Sequence, residues 1–257
     1  MNIGIVQGRL TDSKKLQYFP KDWKKEYIIS KFIGYSYIEV FLINNSLNKK
    51  FLNNQNLNFI KKNNFQLSKN NEIILCDNYS IKANLFSENI FKYYKNIFNK
   101  LNKKFKKKKL IIPIANKYFN NLEFLALFLK KIIKSTDSFT TISIEANPNP
   151  ERINELFRKI KTKKLGFTFD TGNIFNSGYD PIKYYNEIKE HVDHIHIKDR
   201  DKKGKNVSLG TGLINFNKIF KLIRKNKKIT NVTLETFREK NSIVEAYYNL
   251  RFIKKFF

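Results

Sequence analysis

The chain has 257 residues, and 50 Lys and Arg against 22 Asp and Glu give it a formal net charge of +28. A hydrophobic content of 41% with 15% aromatic residues excludes a disordered chain, and no apolar run reaches the roughly 18 residues that a membrane-spanning helix needs. The single Cys76 excludes an internal disulfide and cysteine-based zinc modules, and the N-terminus has no secretory signal pattern, so we expect a cytoplasmic protein.

Short apolar segments alternate with longer helical stretches along the chain. Strands are predicted at residues 3–6, 37–41, 73–76, 110–115, 140–145, 165–169, 192–197 and 232–235. Helices are predicted at residues 22–32, 47–62, 87–101, 122–134, 150–161, 181–189, 216–225 and 242–252. Eight such alternations in a chain of this length favour an α/β fold, a (β/α)₈ TIM barrel, as a single domain over residues 1–257.

The last four predicted strands carry acidic or imidazole side chains near their carboxyl ends. These are Glu145, Asp170, the pair His194 and His196, and Glu235. In a TIM barrel the carboxyl ends of the strands meet at one rim, where active sites lie. Three carboxylates there would repel one another without a cation, and carboxylates with one imidazole suit Mn²⁺, Mg²⁺, Co²⁺ or Zn²⁺. The pattern therefore predicts a site for one divalent metal ion.

Each of these residues also has a purely structural interpretation. A carboxylate that follows a strand commonly caps the next helix, as Asp170 could in Asp-Thr-Gly. His194 and His196 share one face of their strand, so one of them could be a core histidine. The coincidence of four such groups on successive strands favours the metal site.

Several sequence motifs carry a resemblance to a known family. They are Gly4-Ile-Val-Gln-Gly-Arg-Leu10, Asp170-Thr-Gly-Asn173, Gly178-Tyr-Asp-Pro181, His194-Ile-His-Ile-Lys-Asp-Arg200 and Leu209-Gly-Thr-Gly212. Together they resemble the sugar phosphate isomerases/epimerases of the xylose isomerase-like TIM-barrel superfamily. The resemblance implies a metal-dependent isomerase or epimerase that acts on carbohydrates.

The resemblance also implies roles for individual residues. The implied ligands of one divalent metal ion, with Mn²⁺ favoured, are Glu145, Asp170, His196 and Glu235. Glu145 and Glu235 would also be the catalytic acid/base pair, abstracting a proton beside a carbonyl through a metal-stabilised enediolate. The predicted substrate-binding residues are Gln7, Arg9, Glu39, Asn173, His194, Lys198, Asp199, Arg200 and Arg238. Among them the four basic side chains are candidate anchors for a substrate phosphate.

Other functions remain open at this point. A dehydratase or a hydroxypyruvate-type isomerase would use the same site, and a non-catalytic binding barrel is a further alternative. An apurinic-site endonuclease would need histidines from several strands, whereas all three histidines lie within residues 191–196.

The net charge is weak evidence for a nucleic-acid partner. It comes from 43 Lys and only 7 Arg, and Lys, Asn, Ile, Phe and Tyr, which A/T-only codons can encode, make up 147 of the 257 residues. We therefore expect a sugar or sugar phosphate as the partner, with no specific nucleic acid and no membrane, and a homo-oligomer is compatible with the sequence. The lysine-rich run at residues 103–109 is interpreted as a solvated loop.

Overall fold

Eight parallel strands pair in one closed order and form a barrel. The computed structural model describes residues 1–13, 15, 17–43, 45–79, 84–238 and 241–257. In chain order the barrel strands are β1 (Asn2–Val6), β2 (Tyr37–Leu42), β3 (Glu72–Asp77), β4 (Lys107–Pro113), β5 (Thr140–Glu145), β6 (Leu165–Asp170), β7 (Val192–Ile197) and β8 (Asn231–Leu234). Their order around the barrel is β1-β8-β7-β6-β5-β4-β3-β2, so the predicted (β/α)₈ TIM barrel is confirmed.

Helices connect the strands. They are α1 (Trp23–Ile33), α2 (Asn45–Phe51), α3 (Asn54–Asn63), α4 (Phe65–Lys69), α5 (Glu88–Asn102), α6 (Leu122–Lys134), α7 (Pro150–Ile160), α8 (Thr171–Asn176), α9 (Pro181–Ile188), α10 (Phe216–Ile223) and α11 (Ser242–Lys254). Pro150 and Pro181 stand in the first turn of α7 and α9, where the missing N–H of proline has no intrahelical partner to lose. None of the described helices is both long enough and apolar enough to span a membrane.

The chain divides into two compact units, residues 1–39 with 168–257 and residues 40–167. In the second unit β3 pairs with β4 and β4 with β5. Residues 73–76 of β3 are buried without a break, as expected of a parallel strand that is covered on both faces. Glu145 is the last residue of β5 and is also buried. The extent of a single domain over residues 1–257 stays a prediction.

In the first unit the strand register brings polar side chains of β2, β7 and β8 towards one another. Thr233 on β8 pairs with Gly4 on β1 and with His196 on β7, while Val6 on β1 pairs with Glu39 on β2. A side chain at Gly4 would collide with the ring of Tyr37, since an added Cβ would meet that ring at 2.3 Å. Glycine therefore lets the Tyr37 ring cross β1, and its hydroxyl lies 2.8 Å from the Oγ1 atom of Thr233.

The helix predicted at residues 47–62 is wrong in its continuity. The structure has two helices there, α2 and α3, separated after Phe51. The side chain of Asn53 accepts a hydrogen bond of 2.9 Å from the backbone N–H of Asn56 and so caps α3. Asparagine is more favourable as the capping residue at the start of a helix than in a helix interior. This preference explains why the predicted helix is interrupted at Asn53.

The interpretation of residues 103–109 as a solvated loop is wrong for its last three lysines. Strand β4 begins at Lys107, three residues before the predicted start. Lys108 is buried, and its Nζ atom lies 2.5 Å from the Oδ2 atom of Asp137. This ion pair compensates for the burial of the ammonium group, so the strand can begin within the basic run.

Three short elements that follow the carboxyl ends of strands have no counterpart in the sequence prediction, and neither has α4, which precedes β3. They are the helix α8, a 3₁₀ helix at Asn116–Asn120, and an antiparallel pair formed by Asp199–Arg200 and Asn206–Val207. All three are too short to produce a recognisable periodicity. Helix α8 follows β6 directly, and the antiparallel pair begins at Asp199, one residue beyond the end of β7; both strands carry predicted site residues.

Candidate metal centre

Three buried side chains of the first unit come together at the carboxyl ends of β6, β7 and β8. Asp170 is the last residue of β6, His196 is next to last in β7, and Glu235 follows β8. The Nδ1 atom of His196 lies 3.4 Å from Oε2 of Glu235 and 4.0 Å from Oδ2 of Asp170. One nitrogen or oxygen atom from each of the three lies within 4.8 Å of those of the other two. Two carboxylates and an imidazole at this spacing are a donor set that suits a divalent metal ion.

The other ring nitrogen of His196 faces a buried carboxylate. Its Nε2 atom is 2.9 Å from Oε1 of Glu39, and Nε2 of His194 is 2.9 Å from Oε2 of the same carboxylate. The Oγ1 atom of Thr233 donates to Oε2 of Glu39 at 2.7 Å. If Nε2 of His196 carries the proton that it donates to Glu39, Nδ1 presents its lone pair towards Asp170 and Glu235, as in carboxylate–histidine–metal arrangements.

The charge of Glu39 is maintained by its neighbours. Burial acts to raise the pKa of this carboxyl, but the charges and hydrogen bonds of His196 and His194 outweigh burial and hold the pKa well below its usual range. Glu39, His194 and His196 all have no solvent exposure. Glu39 and His194 are therefore shielded from solvent, and Glu39 contacts the cluster of Asp170, His196 and Glu235 through His196.

Both carboxylate oxygens of Glu235 are held by cationic or amide groups. Its Oε1 atom accepts hydrogen bonds from Nη2 of Arg9 at 3.2 Å and from Nε2 of Gln17 at 3.1 Å. Its Oε2 atom lies 3.0 Å from Nζ of Lys198. Burial acts to raise the pKa of Glu235, but the charges of Lys198, His196 and Arg9 outweigh it and lower the pKa to about 2.

Asp170 caps a helix and also belongs to the acidic cluster. Its Oδ1 atom accepts a hydrogen bond of 2.8 Å from the backbone N–H of Asn173 and so caps α8. Its Oδ2 atom faces the cluster and lies 2.8 Å from Nζ of Lys198. Helix capping and a place in the acidic cluster are therefore compatible in one side chain, each using a different oxygen.

The loop after β1 is fixed by a buried acid that the sequence prediction missed. Glu26 on α1 accepts hydrogen bonds from the N–H groups of Gly8 at 2.8 Å and Leu10 at 3.0 Å and from Oγ1 of Thr11 at 3.1 Å. Burial raises the pKa of Glu26 to about 6 despite these donors. Because Arg9 lies between two of the anchored residues, Glu26 sets the position from which Arg9 reaches Glu235. An acidic residue on the inner face of an amphipathic helix is the signal that would have identified it.

Arg238 binds the backbone of the same loop. Its guanidinium donates hydrogen bonds to the backbone carbonyls of Gly8, Thr11 and Lys15. Burial lowers the pKa of Arg238 to about 10, and the charge of Arg9 acts in the same direction. In the described residues, Arg238 thus contacts the backbone of the loop that carries Arg9.

The two predicted substrate-binding residues after β7, Asp199 and Arg200, differ in their surroundings. The carboxylate of Asp199 accepts hydrogen bonds from the backbone N–H groups of Arg200, Gly210, Gly212 and Ile214, at 2.9 to 3.2 Å. The guanidinium of Arg200 donates to Oδ1 of Asn173 at 3.1 Å and to the carbonyl of Gly204 at 3.1 Å. Asp199 holds a glycine-containing loop, whereas Arg200 and Asn173 are joined beside the cluster.

The two remaining predicted site residues are Gln7, directly after β1, and Glu145, at the end of β5. Gln7 is buried, and its backbone N–H donates to the carbonyl of Glu39 at 2.9 Å. Glu145 belongs to the second unit, where it ends β5. The roles predicted for both stay predictions. Gln17 and Thr233, by contrast, contact Glu235 and Glu39 without having been predicted, although Thr233 shares a strand face with Glu235.

Comparisons with known proteins agree with this architecture. The family model described as xylose isomerase-like TIM barrel matches residues 129–256. A comparison with curated protein sequences gives no match.

Solved structures share the fold at low sequence identity. A D-psicose 3-epimerase from Clostridium cellulolyticum H10, solved with D-tagatose, aligns with a TM-score of 0.75 and 14% identity over 99% of both chains. A probable 3-DHS dehydratase from Bacillus anthracis aligns with a TM-score of 0.72 and 14% identity, also over 99% of both chains. A sugar phosphate isomerase/epimerase from Parabacteroides distasonis has a TM-score of 0.68 and 14% identity over 98% of this chain and 93% of that one. At such identities the likeness establishes the fold.

Proposed function

We propose that this xylose isomerase-like TIM barrel is a metal-dependent enzyme that isomerises or epimerises a sugar, with a sugar phosphate as the favoured substrate class. The observation that carries the proposal is the buried cluster of Asp170, His196 and Glu235 at the carboxyl ends of three adjacent strands. Active sites of TIM barrels lie at this end of the strands. Structural neighbours include sugar epimerases and a sugar phosphate isomerase/epimerase, which supports the carbohydrate class.

The proposed metal ligands are Glu145, Asp170, His196 and Glu235, with Mn²⁺ as the favoured ion. The lowered pKa values of Glu39 and Glu235 keep both carboxylates ionised at neutral pH, as metal ligation and support of a ligand require. When bound, a divalent ion would supply Lewis-acid stabilisation of the negative charge that develops on a substrate carbonyl oxygen.

The proposed chemistry is proton transfer at a carbon beside that carbonyl. Glu145 ends β5 and Glu235 directly follows β8, so they approach from different strands and we assign them as the acid/base pair. One carboxylate takes the proton, and the other returns a proton on the opposite face for epimerisation. In aldose–ketose isomerisation the proton returns to the neighbouring carbon. Arg9 and Gln17 hold Oε1 of Glu235 and so orient its carboxylate for this role.

The remaining predicted residues divide into two groups in the proposal. Gln7, Arg9, Asn173, Lys198 and Arg200 would contact the substrate directly. Glu39, His194, Asp199 and Arg238 would act through others, since their observed contacts are with His196, Thr233 or the loop backbone. The cationic groups suit a substrate phosphate, because guanidinium and ammonium donors bind its oxygens in charge-assisted hydrogen bonds.

Solvent exchange tests the proposal directly. Mn²⁺-loaded protein is incubated in deuterated buffer with a panel of ketoses and ketose phosphates, and NMR follows the loss of the C–H signal beside the carbonyl. We expect exchange with at least one substrate, its abolition by chelation, and losses of at least about a thousandfold in Glu145→Gln and Glu235→Gln, the size seen when an acid/base group is removed. Glu155→Gln, a change on α7, is the control that keeps activity.

The outcome also separates the competing functions. Absence of exchange with every ketose and ketose phosphate would contradict the isomerase/epimerase assignment. Exchange accompanied by loss of water from the substrate would instead indicate a dehydratase, the reaction class named for one structural neighbour.

A further inference from the structure

A lysine occupies the position between the two acidic side chains of the cluster. The Nζ atom of Lys198 lies 2.8 Å from Oδ2 of Asp170 and 3.0 Å from Oε2 of Glu235. Its side chain is only 9% exposed. These are the same two oxygen atoms that face Nδ1 of His196. The ammonium group is therefore at the atoms that a divalent ion would need.

The backbone at Lys198 is fixed by Thr171. The Oγ1 atom of Thr171 accepts a hydrogen bond of 3.0 Å from the N–H of Lys198 and donates one of 2.7 Å to its carbonyl. Thr171 is the first residue after β6 and Lys198 is the first residue after β7, two strands whose carboxyl ends form the cluster. This pair of hydrogen bonds sets the point from which the lysine side chain starts.

The aliphatic part of the Lys198 side chain packs against Gly172. A Cβ atom at Gly172 would meet Cβ of Lys198 at 2.6 Å and its Cδ at 3.4 Å. The absence of a side chain at residue 172 thus leaves the channel along which the lysine stem runs towards Asp170. The placement of the ammonium group rests on this packing and on the Thr171 hydrogen bonds as well as on charge attraction.

The charges of the cluster explain what the lysine does. Two ionised carboxylates that face one imidazole repel each other in a site from which water is excluded, and an ammonium between them removes that repulsion. A divalent ion at the same oxygens would repel the ammonium strongly over such distances. Lysine and metal ion therefore exclude each other at Asp170 and Glu235.

We propose that Lys198 is a resident counter-ion that keeps Asp170 and Glu235 in place in the metal-free protein and withdraws when a divalent ion binds. This inference rests on the proposed metal-dependent function. The Oδ1 atom of Asn173, 3.5 Å from Nζ, provides an acceptor on the withdrawal path. The exchange lowers the affinity for the metal, because binding has to displace a cation that is already paired.

The test compares Lys198→Met with wild type in metal-free protein and during titration with Mn²⁺. Loss of the ammonium leaves the carboxylates uncompensated, so the metal-free Tm falls. Mn²⁺ then binds about tenfold more tightly by calorimetry, since no cation has to be displaced, and raises the Tm further than in wild type. Lys198→Gln is the second variant and should behave in the same way.

Lys108→Met is the matched control. It removes one positive charge and one buried lysine, in this case the partner of Asp137 in the second unit. Its Mn²⁺ affinity should stay within about twofold of wild type. An increase equal to that of Lys198→Met would show that the tighter binding comes only from the lower net charge, and it would overturn the inference.

Other outcomes are also decisive. Unchanged or weaker Mn²⁺ binding in both Lys198 variants overturns the exchange of lysine and metal. If neither wild type nor the variants bind Mn²⁺, the proposed function and the exchange both fail. The metal-free Tm still decides the counter-ion role in that case, because it involves no metal, and a Tm equal to that of wild type would refute this role.

Discussion

Nε2 of His196 and Oε1 of Glu39 lie 2.9 Å apart, and both side chains are completely buried. The contact orients the imidazole so that Nδ1 faces Glu235. Because the same carboxylate also holds His194, Glu39 fixes both histidines of β7 at once. The tautomer and direction of a metal-binding imidazole are set in this way by its second hydrogen bond.

Glu39→Gln should weaken the proposed metal binding without removing any of the proposed metal ligands. A carboxamide can accept from only one of the two histidines and presents N–H to the other. We expect Mn²⁺ affinity to fall by about 10- to 100-fold in calorimetric titration, as for other changes behind a metal ligand. Glu72→Gln at the amino end of β3 should leave the affinity unchanged. Equal affinity in both variants would contradict a supporting role for Glu39.

Arg9→Met should destabilise the fold through Glu235. The ion pair between Nη2 of Arg9 and Oε1 of Glu235 is buried on both sides, and loss of one partner of such a pair costs about 3–5 kcal/mol. We expect the free energy of unfolding in urea to fall by this order. In a Glu235→Gln background the same Arg9→Met change should cost markedly less, because the uncompensated charge is gone. Equal costs in both backgrounds would show that the two residues act independently.

Glu26 should make stability depend on pH in the weakly acidic range. Its pKa is raised from 4.5 to about 6 by burial, although the nearby Arg238 charge acts to lower it. The folded protein therefore holds this proton more tightly than the unfolded chain, and the resulting stability is present below pH 4.5 and is lost as pH rises through 6.

The expected size of this effect is about 2 kcal/mol, since the pKa rises from 4.5 to about 6 and a tenfold change in proton affinity corresponds to about 1.36 kcal/mol. Glu26→Gln should lack it. The free energy of unfolding of wild type minus that of the variant should thus decrease between pH 4.5 and 7 in urea titrations. A difference that stays constant over this range would mean that Glu26 has an ordinary pKa in the fold.

Asp199→Asn should loosen the loop at residues 208–214. The Oδ2 atom of Asp199 accepts from the N–H groups of Gly210 and Gly212, and an amide nitrogen in its place would face these donors. A hydrogen bond to a charged acceptor contributes about 1.5–3 kcal/mol, so hydrogen exchange at these two glycines should accelerate at least about tenfold. Asp201→Asn is the control. It should change hydrogen exchange only near Lys203 and Lys205, because Asp201 accepts hydrogen bonds from their backbone N–H groups.

The architecture could be predicted because its signals are local. Residues 140–145 and 192–197 carry isoleucine at every second position near their carboxyl ends, a spacing that favours a strand, and their predicted bounds agree with β5 and β7. The single helix predicted at residues 47–62 was wrong because the asparagines there give only a weak helix-propensity signal. Only the cap at Asn53 decides where one helix ends and the next begins. The start of β4 failed because the burial of Lys108 depends on Asp137, which is distant in sequence.

For the site, the positions of residues at strand ends predicted which side chains lie close together, but not which atoms they contact. Asp170, His196 and Glu235 come together as expected from their positions at the ends of β6, β7 and β8. The sequence did not reveal that Lys198 points between the carboxylates, nor that Asp199 binds backbone N–H groups. These contacts depend on rotamers and loop paths that no spacing rule encodes. Glu26 was missed for the same reason, since its partners are backbone groups of another segment.

The two oxygens of Asp170 face in different directions, one to the first turn of α8 and the other to the cluster. A rotation of this one carboxylate would weaken its hydrogen bond with the backbone N–H of Asn173. The side chain of Asn173 in turn accepts a hydrogen bond from Arg200. Occupancy of the rim would thereby be transmitted mechanically to the start of a helix and to a guanidinium beside it. A single side chain can in this way couple the filling of the site to the order of the loops around it.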